Sequence, residues 1–452
     1  MMNAVFREWE FEIMEEYLHS HDTTPISAFY RDRISRCLYD HYCRIIYPRP
    51  NFILVYLEDF ARQGRGEYRL LLDFFTFSDY TRFNEEFGTD VEIGDENGMP
   101  QSTFFYIENY YTEDKLDKGA HYYLDIRALQ AQRVEIKTGR PEGFPVLYTI
   151  TLPRDEELVE KSENVTLLYH TQPLTYPQWV FSSVNNTNNP AAISANANAE
   201  LMVWDVKQGN FNEIKIDGLP YTIFDAGTEV IDATVPFLPL QQKLANELNV
   251  ANVPLFVLSH WHTDHYSLLF SQSNNDLSRI QYYILPSNVK SLSVYCFILR
   301  LQMIGTCVNM VVLPYGSPWI KHAINDSLTL YANKNYVSNV NNSGLTLFVQ
   351  GPDNNAMLPG DCRYRLAESQ ANDCITAPMA NGQKHYLVVP HHCGKAGVVN
   401  YCIANANDID GIVSVGKNIH GHPDGLVQAQ IEKIIGKKLE MSMNVGDIVK
   451  GL

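Results

Sequence analysis

The chain has 452 residues, 35 Lys+Arg against 52 Asp+Glu for a net charge of −17, 45% hydrophobic residues and 8 cysteines. That length and apolar content exclude a disordered chain and predict two or three domains with sizeable cores. The acidic balance excludes a broad surface for coating nucleic acid, and cysteines without regular spacing or an apolar leader argue against secretion.

In chain order, residues 1–183 read as an α+β domain. A helical pattern opens it at 5–19, strand candidates lie at 51–57 and 144–152, and the loops are long. No catalytic constellation stands out there. His19, His21 and His41 are scattered, and Cys37 with Cys43 has no second pair to complete a zinc site. Most of the acidic excess falls in this half, which suits a protein partner better than a polyanion. A structural or partner-binding module is therefore expected. Residues 184–200, VNNTNNPAAISANANAE, have the composition of a linker or exposed loop.

From 201 to 452 the pattern changes. Strand candidates fall at 201–205, 211–216, 221–225, 254–258, 281–285, 308–314, 344–350, 386–390 and 412–415. Helical patterns fall at 240–248, 364–368, 397–404 and 426–435. This grouping predicts an α/β class, a four-layer αββα sandwich of two mixed sheets with helices outside. Deleting 1–198 should then leave a folded domain. The longest apolar stretch, SVYCFILRLQMIG, is short and interrupted by Arg300, so no membrane association and a cytoplasmic location are expected.

The most informative run is Ser259-His-Trp-His-Thr-Asp-His265, which follows the apolar Pro254-Leu-Phe-Val-Leu258. His260 and His262 alternate along an extended stretch, so both imidazoles can face one side. Asp264 and His265 offer two further donors. Such a set suits one or two borderline divalent metals, Zn or Mn. A dinuclear hydrolase also needs a bridging carboxylate. Asp361, just after Gly360 at the end of an apolar stretch, is placed for that role. On this reading His260 and His262 hold one metal, while Asp264, His265 and His391 hold the second. His392 either ligates or gives a proton to a leaving oxygen. His322, in SPWIKHAIND, reads as a helix-face histidine outside the site.

These residues resemble the metallo-β-lactamase superfamily, whose signature is His-x-His-x-Asp-His. Over about 201–452 they are similar to its ComEC-type branch. MVWDVKQGNFNEIKI resembles that branch's opening, keeping Asp205, Gln208 and Gly209 but departing at Lys207 and Asn210. YTIFDAGTE, VNNSGLTLFV, MLPGD, YLVVPHHCG and SVGKNIHGHP follow in the branch's order. The resemblance implies that Asp225 supports the histidine loop by hydrogen bonding without touching metal. It implies that Asn342 stands near the first metal, where many members have a third histidine that this chain lacks. Asn418, His420 and His422 fall on the family's substrate-side loop, although His420 also reads as part of a turn pinned by Gly421 and Pro423. Where the family shows His-His-Gly-Ser this chain has His-His-Cys-Gly. Cys393 is then a buried thiol, and Lys395 replaces the serine's phosphate contact with charge.

The expected function is a metal-dependent hydrolase, foremost a phosphodiesterase or nuclease acting on nucleic acid or a nucleotide through a metal-activated water. Asp264 and His392 would be its catalytic groups, and the substrate would carry phosphate. Two alternatives stay open: a hydrolase of a small ester, amide or lactone, and a metal-stabilised sensor or scaffold, including a role in bacterial defence.

Overall fold

The computed structural model describes residues 51–89, 102–132, 134–138, 144–153, 167–169, 190–232, 235–314, 316–334, 340–416 and 420–452. The helix expected at 5–19, residues His19, His21, Cys37, His41, Cys43 and Asn418, and positions 184–189 lie outside the described residues.

Strands β1 (Phe52–Arg62), β2 (Glu67–Phe74), β3 (Phe104–Tyr111), β4 (His121–Asp125), β5 (Glu135–Thr138), β6 (Tyr148–Thr151) and β7 (Leu167–Tyr169) form the first sheet. Its order is β5-β6-β3-β2-β1-β4-β7. β1 carries a bulge between Leu57 and Asp59, which takes the two adjacent acids Glu58 and Asp59 out of simple alternation. Both are buried.

The second sheet takes β8 (Ala199–Val203), β9 (Phe211–Ile216), β10 (Leu219–Ala226), β11 (Val253–Val257), β12 (Ile280–Pro286) and β13 (Cys307–Val311). β9 and β10 form a hairpin around Asp217-Gly218, while β10, β11, β12 and β13 run parallel. β11 is covered on both faces, Val253 and Phe256 packing on one side and Leu255 and Val257 on the other, which is why its sequence is a continuous apolar run. The third sheet comprises β14 (Trp319–Ala323), β15 (Leu328–Asn333), β16 (Leu345–Gln350), β17 (Asn355–Leu358), β18 (His385–Val388), β19 (Ile409–Val413) and β20 (Glu440–Met441), in that order. The last strand, β21 (Ile448–Gly451), returns to pair antiparallel with β8 of the second sheet.

The two C-terminal sheets face each other across one apolar layer. Leu201, Ile214, Phe224, Leu255 and Val257 from the second sheet pack with Leu330, Leu347, Ala356, Leu358 and Ile412 from the third. The third sheet's outer face packs on helices Tyr364–Cys374 and Gly425–Ile435 through Leu387, Val413, Ala367, Ala371 and Ile431. The second sheet's outer face packs on helices Phe237–Val250, Thr263–Phe270 and Leu292–Met303. Residues 199–452 are therefore an αββα sandwich.

The first sheet sits on that last helical layer, and one hydrophobic cluster runs through both. Phe104 meets Phe270 at 5.6 Å between ring centroids, and Phe144 meets Phe237 at 5.6 Å. Asp73 accepts hydrogen bonds from the Ser293 N–H (2.9 Å) and hydroxyl (3.0 Å). One hydrophobic cluster and these hydrogen bonds thus join the two halves. SVYCFILRLQMIG is the covered helix between them, with every side chain from Leu292 to Leu301 buried. Arg300 fits there because its guanidinium donates to Asn274 Oδ1 (2.6 Å) and the Gln272 carbonyl (2.7 Å). Two local expectations fail. Residues 397–404 form no helix, since Gly397 at φ +93 breaks the turn before it can propagate. His322 lies exposed on edge strand β14, not on a helix.

Candidate metal centre

Parallel strands deliver the site residues to one edge of the sandwich. β10 ends at Asp225-Ala226, and β11, paired beside it with Phe224 opposite Val257, releases the loop 258–262. That loop carries His260 and His262. Helix Thr263–Phe270 starts immediately after, placing Asp264 and His265 in its first turn, where a carboxylate also suits the helix dipole. On the facing sheet, β17 and β18 are parallel neighbours and release Asp361 and the His391-His392 pair. Gly360, at φ +58, lets these two edges meet: a Cβ there would lie 2.6 Å from the Ser259 Cβ.

The result is two donor groups. One is His260, His262 and Asp361; the other is Asp264, His265 and His392. Within each, the ligand atoms all lie within 4.8 Å of one another. His260 Nε2 is 3.1 Å from His262 Nδ1, close to the roughly 3.3 Å expected between two nitrogens on one tetrahedral ion. Asp361 stands between the groups. Its Oδ2 is 3.9 Å from His260 Nε2, and its Oδ1 is 3.2 Å from His265 Nε2 and 3.8 Å from His392 Nε2.

His392, rather than His391, therefore joins Asp264 and His265, with Nε2 3.4 Å from Asp264 Oδ2. His391 Nδ1 instead hydrogen-bonds Asp361 Oδ2 at 2.8 Å. The sequence reading gave His391 to the second metal and left His392 open as a ligand or as the group that protonates the leaving oxygen. The cause is local: His391, His392 and Cys393 have φ of 53, 49 and 62, a left-handed run in which strand alternation no longer sets side-chain direction. Cys393 is a buried thiol, pushed up to about 12 by burial and the nearby Asp424.

Asp225 accepts hydrogen bonds from the Ser259 N–H (2.6 Å), Ser259 Oγ (2.8 Å), His265 Nδ1 (2.8 Å) and Asn210 Nδ2 (3.0 Å). Asn210 thus braces the same carboxylate. His392 Nδ1 donates to the Ser414 carbonyl at 2.8 Å. These bonds fix each imidazole's tautomer and leave Nε2 for the centre.

A metal fits the residues present. Asp264 Oδ1, His265 Nε2 and His392 Nε2 are buried without a hydrogen-bond partner among the described residues. Buried polar atoms in such number are costly unless something binds them. Imidazole nitrogens with carboxylate oxygens suit a borderline divalent ion. The electrostatics agree. Burial drives His260 and His262 well below the usual imidazole range, assisted by His265 and by Lys118 respectively. Burial opposes charge on His265 too, but Asp361, Asp225 and Asp264 outweigh it and hold that ring well above the usual range. Three carboxylates around one imidazole call for a cation, whether proton or metal. Asp264 and Asp361 stay well below the carboxylate range despite burial, the first through Lys118 and His265, the second through His265 and His391.

Beside the centre lies an open cleft of about 400 Å³ lined by Asn341, Asn342, Asp361, His391 and the cations Arg363, Arg365 and Lys395. Asn342 is buried on this wall, and Lys395 is exposed, 3.4 Å from Asp424. The His422 ring is 5.0 Å from that of His391, and burial with the His391 and His392 neighbours pushes it down to about 3. His420 is not merely a turn residue. Its Nε2 is 2.9 Å from Glu229 Oε2, and although burial opposes it, Asp59 and Glu229 push it up to about 9.

Sequence reasoning missed Ser259, Asp59, Glu229 and Lys118. Ser259 was legible as the hydroxyl that opens the histidine run. Asp59 and Lys118 come from the other half of the chain, and no motif marks them.

No family model matches the sequence, and no curated protein does either. Among solved structures, CmlA, a diiron β-hydroxylase from Streptomyces venezuelae, aligns over 56% of this chain and 54% of its own, with 10% identity and a TM-score of 0.32. This chain thus spans about half the length of that enzyme. A proposed Zn-dependent hydrolase of the metallo-β-lactamase superfamily from Thermotoga maritima aligns over 54% of this chain and 74% of its own, with 8% identity and a TM-score of 0.22. The αββα architecture stands on its own four layers. Among the described residues no helix is long and apolar enough to cross a membrane.

Proposed function

We propose that the chain is a metal-dependent phosphodiesterase acting on a nucleotide or on the end of a nucleic-acid strand. The observation that carries this reading is Asp361, whose two oxygens face separate donor groups while the same residue lines a cleft with Arg363, Arg365 and Lys395. His260, His262 and Asp361 would hold one divalent ion, and Asp264, His265 and His392 a second. Such ions supply Lewis acidity to a phosphoryl oxygen and lower the pKa of water.

The chain's own groups do the rest. Arg363, Arg365 and Lys395 bind and orient phosphate oxygens. Three cations at one cleft of a chain with net charge −17 favour a short substrate over a long polymer. His391, held through Nδ1 by Asp361 and lining the cleft, is placed to pass a proton to the leaving oxygen through Nε2.

The test is turnover of bis-p-nitrophenyl phosphate with added Mn or Zn, wild type beside Asp264→Ala. Metal-dependent turnover that Asp264→Ala abolishes supports the reading. No turnover with either metal, alongside hydrolysis of p-nitrophenyl acetate that Asp264→Ala abolishes, would replace it with a carbonyl substrate.

A further inference from the structure

The loop between β3 and β4 belongs to the N-terminal half, yet it reaches the metal centre. Its path is fixed by a clamp to β1 at the bulge: Gly119 N–H donates to the Leu57 carbonyl (2.8 Å) and Leu57 N–H to the Ala120 carbonyl (2.9 Å). Gly119 then lies against the centre itself, where an added Cβ would be 3.4 Å from His262 Nε2. The preceding residue, Lys118, sends its ammonium to 3.0 Å from Asp59 Oδ2 and 3.7 Å from Asp264 Oδ1. An ion cluster surrounds it: Glu229 Oε2 is 2.9 Å from His420 Nε2, which is 3.9 Å from Asp59 Oδ2.

Exposure shows which groups face an arriving substrate. The side chains of Asp264, His265, Asp361 and His392 keep 9% of their surface or less. Lys118 keeps 24%, His420 24% and His391 23%. Lys118 is thus a part-exposed positive charge 3.7 Å from one of the centre's buried carboxylates. Asp59 and Asp264 together hold the ammonium in place. Its approach to Asp264 puts a positive charge beside the donor groups, where it would attract an oxyanion bound at the centre.

We propose that Lys118 is a substrate-binding residue of this centre, receiving an oxyanion of a phosphate ester, so that the active site is composite and the N-terminal half supplies part of it. The inference rests on the hydrolase reading for the identity of the substrate, but not for the anion contact. A preorganised ammonium at such a position stabilises charge that grows in the transition state as well as the bound anion.

The test uses the full chain loaded with manganese and inorganic phosphate as the probe, with Lys118→Met and Lys118→Arg beside wild type. Calorimetric phosphate binding is expected to weaken about tenfold or more in Lys118→Met and to recover in part in Lys118→Arg. Manganese equivalents should stay unchanged, while the melting temperature of the Met variant falls because Asp59 loses its buried partner. With bis-p-nitrophenyl phosphate, KM should rise in the Met variant. Equal phosphate affinity in all three proteins overturns the proposal, as does a wild type that binds no phosphate. Loss of manganese in step with loss of phosphate overturns it too, since Lys118 would then only shape the metal groups. If Lys118→Met fails to fold, Lys118→Gln decides by the same phosphate titration. Lys118-dependent phosphate binding without any turnover sinks the phosphodiesterase reading and leaves this one. Turnover with unchanged phosphate affinity does the reverse.

Discussion

The carboxylate of Asp225 accepts a hydrogen bond from His265 Nδ1 at 2.8 Å while the same side chain holds the Ser259 N–H at 2.6 Å. One buried group thus sets both the tautomer of a donor histidine and the course of the loop that carries His260 and His262. Asp225→Asn keeps the shape and removes the charge. Metal affinity, measured by competition with a chelator, should fall about 10–100-fold, the usual cost of losing such a supporting contact. Unchanged affinity would mean that the loop holds itself.

The adjacent histidines divide their roles. His392→Ala removes a donor that shares its group with Asp264 and His265, so it should lose about one metal equivalent by elemental analysis. His391→Ala removes a group bonded to Asp361 from the cleft side, so it should keep its metal while kcat falls about 10²–10⁴-fold, as for loss of a general acid. The opposite pattern would return the ligand role to His391.

This pair shows what was legible in the sequence and what was not. His260, His262, Asp264, His265 and Asp361 are brought together, and their donor types and spacing announce a metal site without any coordinates. The buried strands of the sandwich were readable because apolar runs and alternation are local properties. Helices Thr263–Phe270 and Leu292–Met303 were not, because both are buried all round and show no polar face to set a period. Lys118 was invisible for another reason: its place depends on how two distant segments dock.

Docking has its own pH signature. Burial pushes Asp73 up to about 6 from the usual 3.8, against hydrogen bonds from Thr103, Ser291 and Ser293 that lower it. The folded chain therefore takes up this proton before the unfolded chain does. The resulting stabilisation is full below 3.8 and is lost as the pH rises through about 6. It amounts to about 3 kcal/mol over the whole window, at roughly 1.4 kcal/mol per unit. In urea unfolding, wild type should gain more stability than Asp73→Asn between pH 7 and 4. Parallel curves would show that Asp73 titrates alike in both states.

The shared core gives a further expectation. Removing residues 1–198 strips the cover from Phe270 and Phe297, whose rings pack 4.9 Å apart beneath the first sheet, and exposes the apolar helix Leu292–Met303. The remaining 199–452 should aggregate or bind a hydrophobic dye strongly. A soluble truncated protein with a sharp melting transition would show instead that the sandwich folds alone.

The central claim is that Asp361 joins two donor groups into one centre. The most direct measurement is the manganese or zinc content of the full chain by calorimetric titration, wild type beside Asp361→Ala. Two equivalents in wild type, both weakened by the single substitution, are expected from oxygens that face His260 on one side and His265 with His392 on the other. A wild type that binds no metal, or a substitution that leaves both equivalents intact, would contradict it.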